Sequence, residues 1–102
     1  IKQMQDITVE ELKMRMDRKE ELHLIDVREK WEYDEFNIGA KHIPLGELQA
    51  AMDDLEDWKD KEVIIHCKSG GRSGAAKEFM MRQGFANVRN LLGGMMAWQA
   101  MR

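Results

Sequence analysis

Residues 63–76 have the sequence VIIHCKSGGRSGAA, which gives the clearest indication of the fold. The apolar, β-branched residues at its start predict a buried strand over residues 62–67 that ends at Cys67. The glycine pair that follows predicts a tight turn, and Ser73 is expected to be the N-cap of a helix over residues 73–83. The succession of strand, turn and helix is typical of an α/β protein.

The same alternation extends outward from this stretch. Apolar runs predict two further strands, over residues 22–27 and 87–91. A capping-box pair, Thr8 and Glu11, marks the start of the first helix. Helical spacing or turn signals predict the remaining elements, which are helices at 8–18, 31–36, 46–58 and 95–102 and a short extended segment at 41–45. We therefore expect an α/β fold with a mainly parallel sheet and helices on both faces.

The chain length and charge limit the classes of protein. A chain of 102 residues is long enough for one domain, which is expected to span residues 1–102. The net charge is −3 and there is no basic tract, so neither nucleic acid nor an anionic membrane surface is expected as a partner. No apolar run approaches the ~18 residues of a membrane-spanning helix. The sequence begins with Ile1, which leaves open that it is a piece of a longer protein.

Cys67 is the only cysteine in the sequence, so it cannot form an internal disulfide. A lone thiol in an acidic chain with no visible signal peptide predicts a reducing compartment, the cytoplasm. The three histidines and Cys67 show none of the paired spacings of zinc sites. No metal site and no cofactor are therefore expected.

The chemistry is expected in the turn after the predicted strand at residues 62–67. Ligand sites of open parallel sheets lie beyond the carboxyl ends of the strands, where Cys67 is predicted to lie. The backbone N–H groups of a glycine-rich turn can point inward together and bind an anion. Lys68 and Arg72 add positive charge, so the thiol should ionise more readily than a free cysteine, whose pKa is about 8.5. The predicted anion-binding loop consists of Lys68, Ser69, Gly70, Gly71, Arg72 and Ser73. The alternative is an inert buried cysteine before an ordinary strand–helix turn.

Several other side chains permit both a functional and a structural interpretation. Asp26 lies at the end of the predicted strand at 22–27, and Arg28 follows that strand. The two residues could shape the pocket, but a structural ion pair is favoured. His66 is expected to serve packing or hydrogen bonding. Aromatic and methionine side chains near the ends of elements are expected mainly in the core, with a rim around the site as the alternative. These are Trp31, Phe36, Trp98, Met80, Met81, Met95 and Met96.

Four motifs resemble those of the rhodanese domain family. The loop CKSGGRS at 67–73 resembles the family's active-site pattern C-x-S-G-x-R-S, and LIDVRE at 24–29 resembles its D-V-R segment. IGAKHIPLGEL at 38–48 and VRNLLGGMMAW at 88–98 resemble its G-A-x-x-I-P and L-x-G-G-x-x-A-W segments. The motifs occur in the family's order over nearly the whole chain. One departure is NIGA at 37–40, where many relatives have His-Ile-Pro-Gly-Ala.

The resemblance implies a sulfurtransferase. Cys67 would take sulfane sulfur from a small donor such as thiosulfate, hold it as a persulfide and pass it to cyanide or a thiol. A second hypothesis is a sulfur-relay module that exchanges sulfur between partner proteins. Cysteine phosphatases and arsenate reductases related to this family have five residues between Cys and Arg, whereas four separate Cys67 from Arg72. The spacing favours sulfur chemistry, and the presence of both residues disfavours a purely structural module.

Overall fold

A computed structural model describes residues 5–101 of the chain. Its sheet has four strands in the order β2-β1-β3-β4, and each pairing between them is parallel. The strands are β1 (Leu24–Asp26), β2 (Lys41–His42), β3 (Glu62–His66) and β4 (Asn87–Asn90). The predicted parallel sheet is therefore confirmed, although β1 is shorter than the predicted run at 22–27.

Helices lie in the connections between the strands, before the first strand and after the last one. They are α1 (Val9–Asp17), α2 (Lys30–Glu35), α3 (Leu48–Ala51), α4 (Gly71–Arg82) and α5 (Gly94–Ala100). The predicted helix at 46–58 is mostly 3-10 in character, with 3-10 segments Leu45–Glu47 and Met52–Trp58 on either side of α3. At the C-terminus, α5 begins one residue before its predicted start, and Arg102 lies outside the described residues.

Alternating side chains of β3 belong to two separate cores. Val63 and Ile65 pack with Leu48, Ala76 and Met80 of α3 and α4 on one face. The opposite core, on the other face of β3, is formed by Ile7, Val9, Leu12, Ile64, Leu91 and Met95, with residues from α1 and α5. Burial of each large aliphatic side chain contributes about 1.5–3 kcal/mol, so β3 is anchored from both sides. The expectation of helices on both faces is confirmed.

The start of α1 corrects one detail of the sequence interpretation. The Glu11 amide donates to Thr8 Oγ1 over 3.1 Å, so Thr8 is the N-cap as predicted. The Glu11 carboxylate does not complete the capping box; it accepts hydrogen bonds from Arg89 of β4 instead. A parallel bridge between Ile7 and Leu91, which no local pattern indicated, fixes the segment before α1 beside β4.

Candidate active site

The sheet register brings the two predicted site segments together. Asp26 of β1 lies directly opposite His66 of β3, and the Val27 amide donates to the His66 carbonyl over 3.0 Å. Cys67 therefore follows β3 at the same carboxyl edge at which Asp26 ends β1. This is the edge where parallel sheets place their ligand sites.

The turn after Cys67 is closed by Gly70 and not by Ser73. Gly70 has φ +109° and precedes α4, which starts at Gly71. This left-handed conformation favours glycine, since a side chain would strain it. The prediction that Ser73 is the N-cap is wrong; Ser73 lies in the first turn of α4, where its amide and its hydroxyl both face the sulfur. Helix α4 starts at Gly71, before the predicted start at residue 73, because of the conformation of Gly70.

The Cys67 sulfur is buried, with the residue 1% exposed, and the loop surrounds it with donors. Sγ lies 3.1 Å from the Gly70 amide, 3.4 Å from the Ser73 amide and 3.3 Å from Ser73 Oγ. Burial alone would raise the pKa of the thiol, but hydrogen bonds from the Ser73 hydroxyl and amide and from the Gly70 and Ser69 amides lower it below its ordinary value. The loop therefore stabilises a thiolate, the nucleophilic form of cysteine.

The charged residues of the loop act differently from the expectation. Lys68 is exposed, and Arg72 is bound by Glu32 of α2 through two short hydrogen bonds, from Nη1 to Oε1 (2.7 Å) and from Nη2 to Oε2 (2.9 Å). This contact lowers the pKa of Glu32 to about 2. The hydrogen bonds of the loop lower the pKa of Cys67 more than the charges of Lys68 and Arg72 do.

Glu32 is a site residue that the sequence interpretation did not identify. It is 8% exposed, and its carboxylate also accepts from the Glu29 amide as part of the capping box that starts α2. The spacing of Glu29 and Glu32 was the available signal, because a glutamate at the third helical position is typical of an N-terminal cap. Nothing local indicated its pairing with Arg72, forty positions along the chain.

Asp26 and Arg28 form a buried ion pair. The Arg28 side chain donates from Nη2 to Asp26 Oδ2 over 2.8 Å and from Nε to Oδ1 over 3.1 Å. Arg28 Nη2 also donates to the Phe36 carbonyl over 2.7 Å, which fixes the end of α2. These contacts are those of a structural ion pair, and Arg28 also lines the cleft beside the Cys67 loop.

Helix α5 covers the loop from the other side. The Met95 and Met96 amides donate to the Cys67 and Lys68 carbonyls, each over 2.9 Å. Gly94 has φ +54°, and a Cβ built there would lie 2.5 Å from the Cys67 carbonyl oxygen. The second glycine of the Gly93–Gly94 pair is therefore required for close approach as well as for the turn.

A small cleft of about 110 Å³ opens beside Lys68. Trp31 and Met96 line it and are 67% and 56% exposed, so the expectation that these two residues belong to the core is wrong. Met80 and Met95 are buried as expected. The remaining lining residues are Arg28, Glu32, Glu35, Met95 and Gln99. An apolar rim with charged walls therefore lies next to the Cys67 loop.

His66 is fully buried, and neither ring nitrogen has a hydrogen-bond partner among the described residues. Burial lowers its pKa to about 4, so the imidazole is neutral near pH 7. Its Nδ1 lies 4.0 Å from Asp26 Oδ2, beyond hydrogen-bond distance. Of the two roles expected for His66, packing is the one that the structure shows.

Within residues 5–101, no helix is long and apolar enough to cross a membrane. The same part of the chain contains no group of three or more His, Cys, Asp or Glu side chains arranged to hold a metal ion.

Known proteins resemble this chain in sequence and in fold. "Putative sulfurtransferase YtwF" of Bacillus subtilis is 42% identical over 95% of this chain and 92% of its own length. "Putative sulfur carrier protein YrkF" of the same organism is 40% identical over 91% of this chain, which spans only half of that protein. The crystal structure of a rhodanese-related protein from Thermoplasma volcanium superposes with a TM-score of 0.81 at 30% identity, covering 95% of this chain and 92% of that one.

These likenesses support sulfur transfer as the chemistry of the chain. The model of the rhodanese-like domain family matches residues 8–101, a range that contains the sheet, the Cys67 loop and the covering helix α5. The chain belongs to the rhodanese-like domain family.

Proposed function

We propose that this protein is a sulfurtransferase that carries sulfane sulfur on Cys67 as a persulfide. The observation that carries the proposal is the set of three donors around Sγ, two amides and one hydroxyl at 3.1–3.4 Å. Donors fixed in this way stabilise negative charge on sulfur without a separate general base. We further propose that residues 1–102 act as one rhodanese unit, in a reducing compartment such as the cytoplasm.

The proposed reaction has two half-reactions. The Cys67 thiolate attacks the outer sulfur of thiosulfate, the sulfur–sulfur bond of the donor breaks, and sulfite leaves with the electron pair. Cyanide or a thiolate then attacks the outer sulfur of the persulfide, and the bond to Sγ breaks with its electron pair on Sγ. The thiolate is thereby regenerated, which predicts ping-pong kinetics. The proposed cradle for the persulfide comprises the N–H groups of residues 68 to 73.

The first test is the intact mass of the protein after incubation with thiosulfate. We expect a gain of one sulfur atom that is lost on addition of cyanide and absent in Cys67→Ala. Cys67→Ser should also be inactive, because a serine hydroxyl cannot form the persulfide; retained activity would overturn the assignment. Turnover of an aryl phosphate without any sulfur gain would favour the phosphatase alternative.

Arg72 is proposed to attract anionic donors. Its charge is partly balanced by Glu32, so we expect Arg72→Ala to raise KM for thiosulfate by about tenfold, at the low end of the loss of a charged hydrogen bond. A sulfane-sulfur donor without a negative charge, such as an uncharged organic trisulfide, should be affected much less. Lys68→Ala is the matched control, because Lys68 is the other cation of the loop but is exposed, and it should change KM by about twofold.

The cleft beside the loop favours a second candidate, a relay that receives sulfur from a partner protein. Exposed Trp31 and Met96 form an apolar rim next to Lys68, and the relative YrkF bears the name of a sulfur carrier. Trp31→Ala and Met96→Ala should then slow sulfur uptake from a persulfidated protein while leaving uptake from thiosulfate unchanged. Met14→Ala removes an exposed methionine from α1 and is the control. Equal effects on both donors would count against the relay.

A further inference from the structure

Asn90 lies directly behind the catalytic loop at the end of β4. Its Oδ1 is 2.6 Å from Ser73 Oγ, and its Nδ2 donates to the Gly70 carbonyl over 3.1 Å. Ser73 and Gly70 are the residues that also supply donors to the Cys67 sulfur. The Asn90 side chain is therefore connected to Sγ by two routes, each through one intervening residue.

The orientation of the Asn90 amide follows from its partners. The Gly70 carbonyl can only accept, so the NH₂ group of Asn90 must face it, and Oδ1 must then face Ser73. Oδ1 can only accept, so the Ser73 hydroxyl is its donor. That hydroxyl has a single proton, yet a second acceptor, Cys67 Sγ, lies 3.3 Å away. Asn90 and Cys67 thus compete for one proton.

We propose that Asn90 is a positioning residue that holds the Ser73 hydroxyl proton while Sγ is uncharged and yields it to Sγ when the thiolate forms. An uncharged sulfur is a weak acceptor, so the amide oxygen at 2.6 Å wins the competition. A thiolate is a charged acceptor, and hydrogen bonds to charged groups are about twice as strong as neutral ones.

The exchange fits both half-reactions of the proposed function, on which this part of the inference rests. When Sγ attacks the donor, its electron pair forms the new sulfur–sulfur bond and sulfite leaves with the pair of the broken bond. The charge of the persulfide then lies on the outer sulfur, and the hydroxyl turns to Asn90. When the acceptor removes the outer sulfur, the electron pair returns to Sγ and the hydroxyl turns back. The O–H bond of Ser73 is never broken; only its hydrogen-bond partner changes.

Three charged groups lie near this chain of contacts: Lys68, which is exposed, and Arg72 and Asp6, which are paired. Arg72 of α4, the cation coupled to Cys67, is bound by Glu32 of α2. On the far side, the Asp6 carboxylate accepts a hydrogen bond from the backbone N–H of Asn90 over 2.9 Å. The same carboxylate is bound by Lys77 of α4 over 2.6 Å. These contacts fix the Asn90 backbone, so the rotation of the Ser73 hydroxyl is the movable part.

The test is a double-mutant cycle on the titration of Cys67. The absorbance of the thiolate is followed against pH in the native protein, Asn90→Leu, Ser73→Ala and the double variant, with Cys67→Ala subtracted. With Ser73 present, Asn90→Leu should free the hydroxyl for Sγ and increase the ratio of thiolate to thiol. This increase should be at least about threefold larger than the change that Asn90→Leu causes in the Ser73→Ala background. Equal effects of Asn90→Leu in both backgrounds would overturn the proposal, because a residue that only supports the loop acts independently of the Ser73 hydroxyl.

A second substitution keeps the test decisive if Asn90→Leu does not fold. Asn90→Asp retains an oxygen toward Ser73 and binds the hydroxyl more strongly, so its coupling to Ser73→Ala should have the opposite sign; no coupling would again refute the proposal. Asn87→Leu at the other end of β4 is the control and should leave the titration unchanged. The titration does not require sulfur transfer, so failure of the mass experiment and failure of this cycle are separate results.

Discussion

Glu32 and Arg72 form a bidentate ion pair that joins α2 to the start of α4, the helix that follows the Cys67 loop. The two hydrogen bonds measure 2.7 and 2.9 Å, and the side chains are 9% and 34% exposed. The pair fixes the direction of the guanidinium next to the loop and balances part of its charge. Glu32 thereby couples the geometry of the site to the stability of the fold.

Glu32→Gln should therefore weaken the response of stability to acid. The folded pKa of Glu32 is about 2, below its ordinary value of 4.5, so its contribution is fully present above pH 4.5 and is lost as the pH falls toward 2. Near neutral pH we expect the free energy of unfolding of the variant to be lower by about 1–2 kcal/mol. This value is smaller than the pKa shift alone would give, because Arg72 is partly exposed and solvent screens the pair. Urea unfolding at a series of pH values measures both effects.

Glutamine can still close the capping box of α2, so helix loss should not obscure this comparison. Glu35→Gln changes an exposed carboxylate at the end of the same helix and is the control. If Glu32→Gln and native protein lose stability in parallel between pH 4.5 and 2, the ion pair does not contribute as described.

Asp26→Asn should destabilise the fold strongly. Arg28 is 5% exposed, and loss of the Asp26 charge leaves a buried guanidinium without its counter-ion. Removing one partner of a buried pair typically costs about 3–5 kcal/mol, and asparagine retains some hydrogen bonding, so we expect about 3 kcal/mol. The midpoint of urea unfolding measures the change. Asp17→Asn breaks an exposed pair with Lys13 and should stay within about 0.5 kcal/mol; equal losses in both variants would contradict the assigned role.

The predictable part of the fold is the part determined by local pattern. The apolar run of β3, the glycine turn and the helix after it were identified because each signal lies within a few residues of the element it determines. The bridge between Ile7 and Leu91 was missed because it joins segments far apart in the sequence. The 3-10 character of Met52–Trp58 was missed for a different reason: helical spacing of apolar residues does not distinguish the two kinds of helix in a short segment.

The same limit applies to the site. Cys67 and its loop could be located from composition and order, since the donors to sulfur are backbone amides of adjacent residues. Glu32 and Asn90 reach the loop from α2 and β4, and only the tertiary arrangement shows which side chain each one binds. The start of α4 was placed two residues too late because Ser73 is a preferred N-cap, whereas the conformation of Gly70 decides the boundary.

His66→Leu should remove a component of acid sensitivity in a higher pH range. The folded pKa of His66 is about 4, below its ordinary value of 6.5, so between these values only the unfolded chain takes up the proton. Stability from His66 staying neutral is therefore lost as the pH falls from 6.5 toward 4. In this pH range, the free energy of unfolding of the variant should depend less on pH than that of native protein. At about pH 8 it should be as stable as native protein or more so, because an apolar group replaces two buried nitrogens to which residues 5–101 offer no hydrogen bond. A native-like slope in the variant would contradict the burial argument.

Gly94→Ala should disrupt both stability and activity through one backbone contact. The added Cβ would lie 2.5 Å from the Cys67 carbonyl oxygen and 2.7 Å from the Lys68 carbonyl carbon, in a backbone conformation with φ +54° that already disfavours alanine. Because the clash is with backbone on both counts, α5 or the loop must move, and we expect a loss of more than about 2 kcal/mol. Displacement of the Cys67 backbone should lower kcat/KM for sulfur transfer at least about tenfold.

Gly71→Ala is the matched control for this substitution, since Gly71 lies in the loop that Gly94 contacts but a Cβ at Gly71 meets nothing within 4 Å. Gly71 is the first residue of α4, where alanine favours the helix, so this variant should be unchanged or more stable by about 0.5–1 kcal/mol and should remain active. The two variants are compared by urea unfolding and by kcat/KM. If Gly94→Ala matched Gly71→Ala in both measurements, the close approach of α5 to the Cys67 backbone would not be what holds the loop in place.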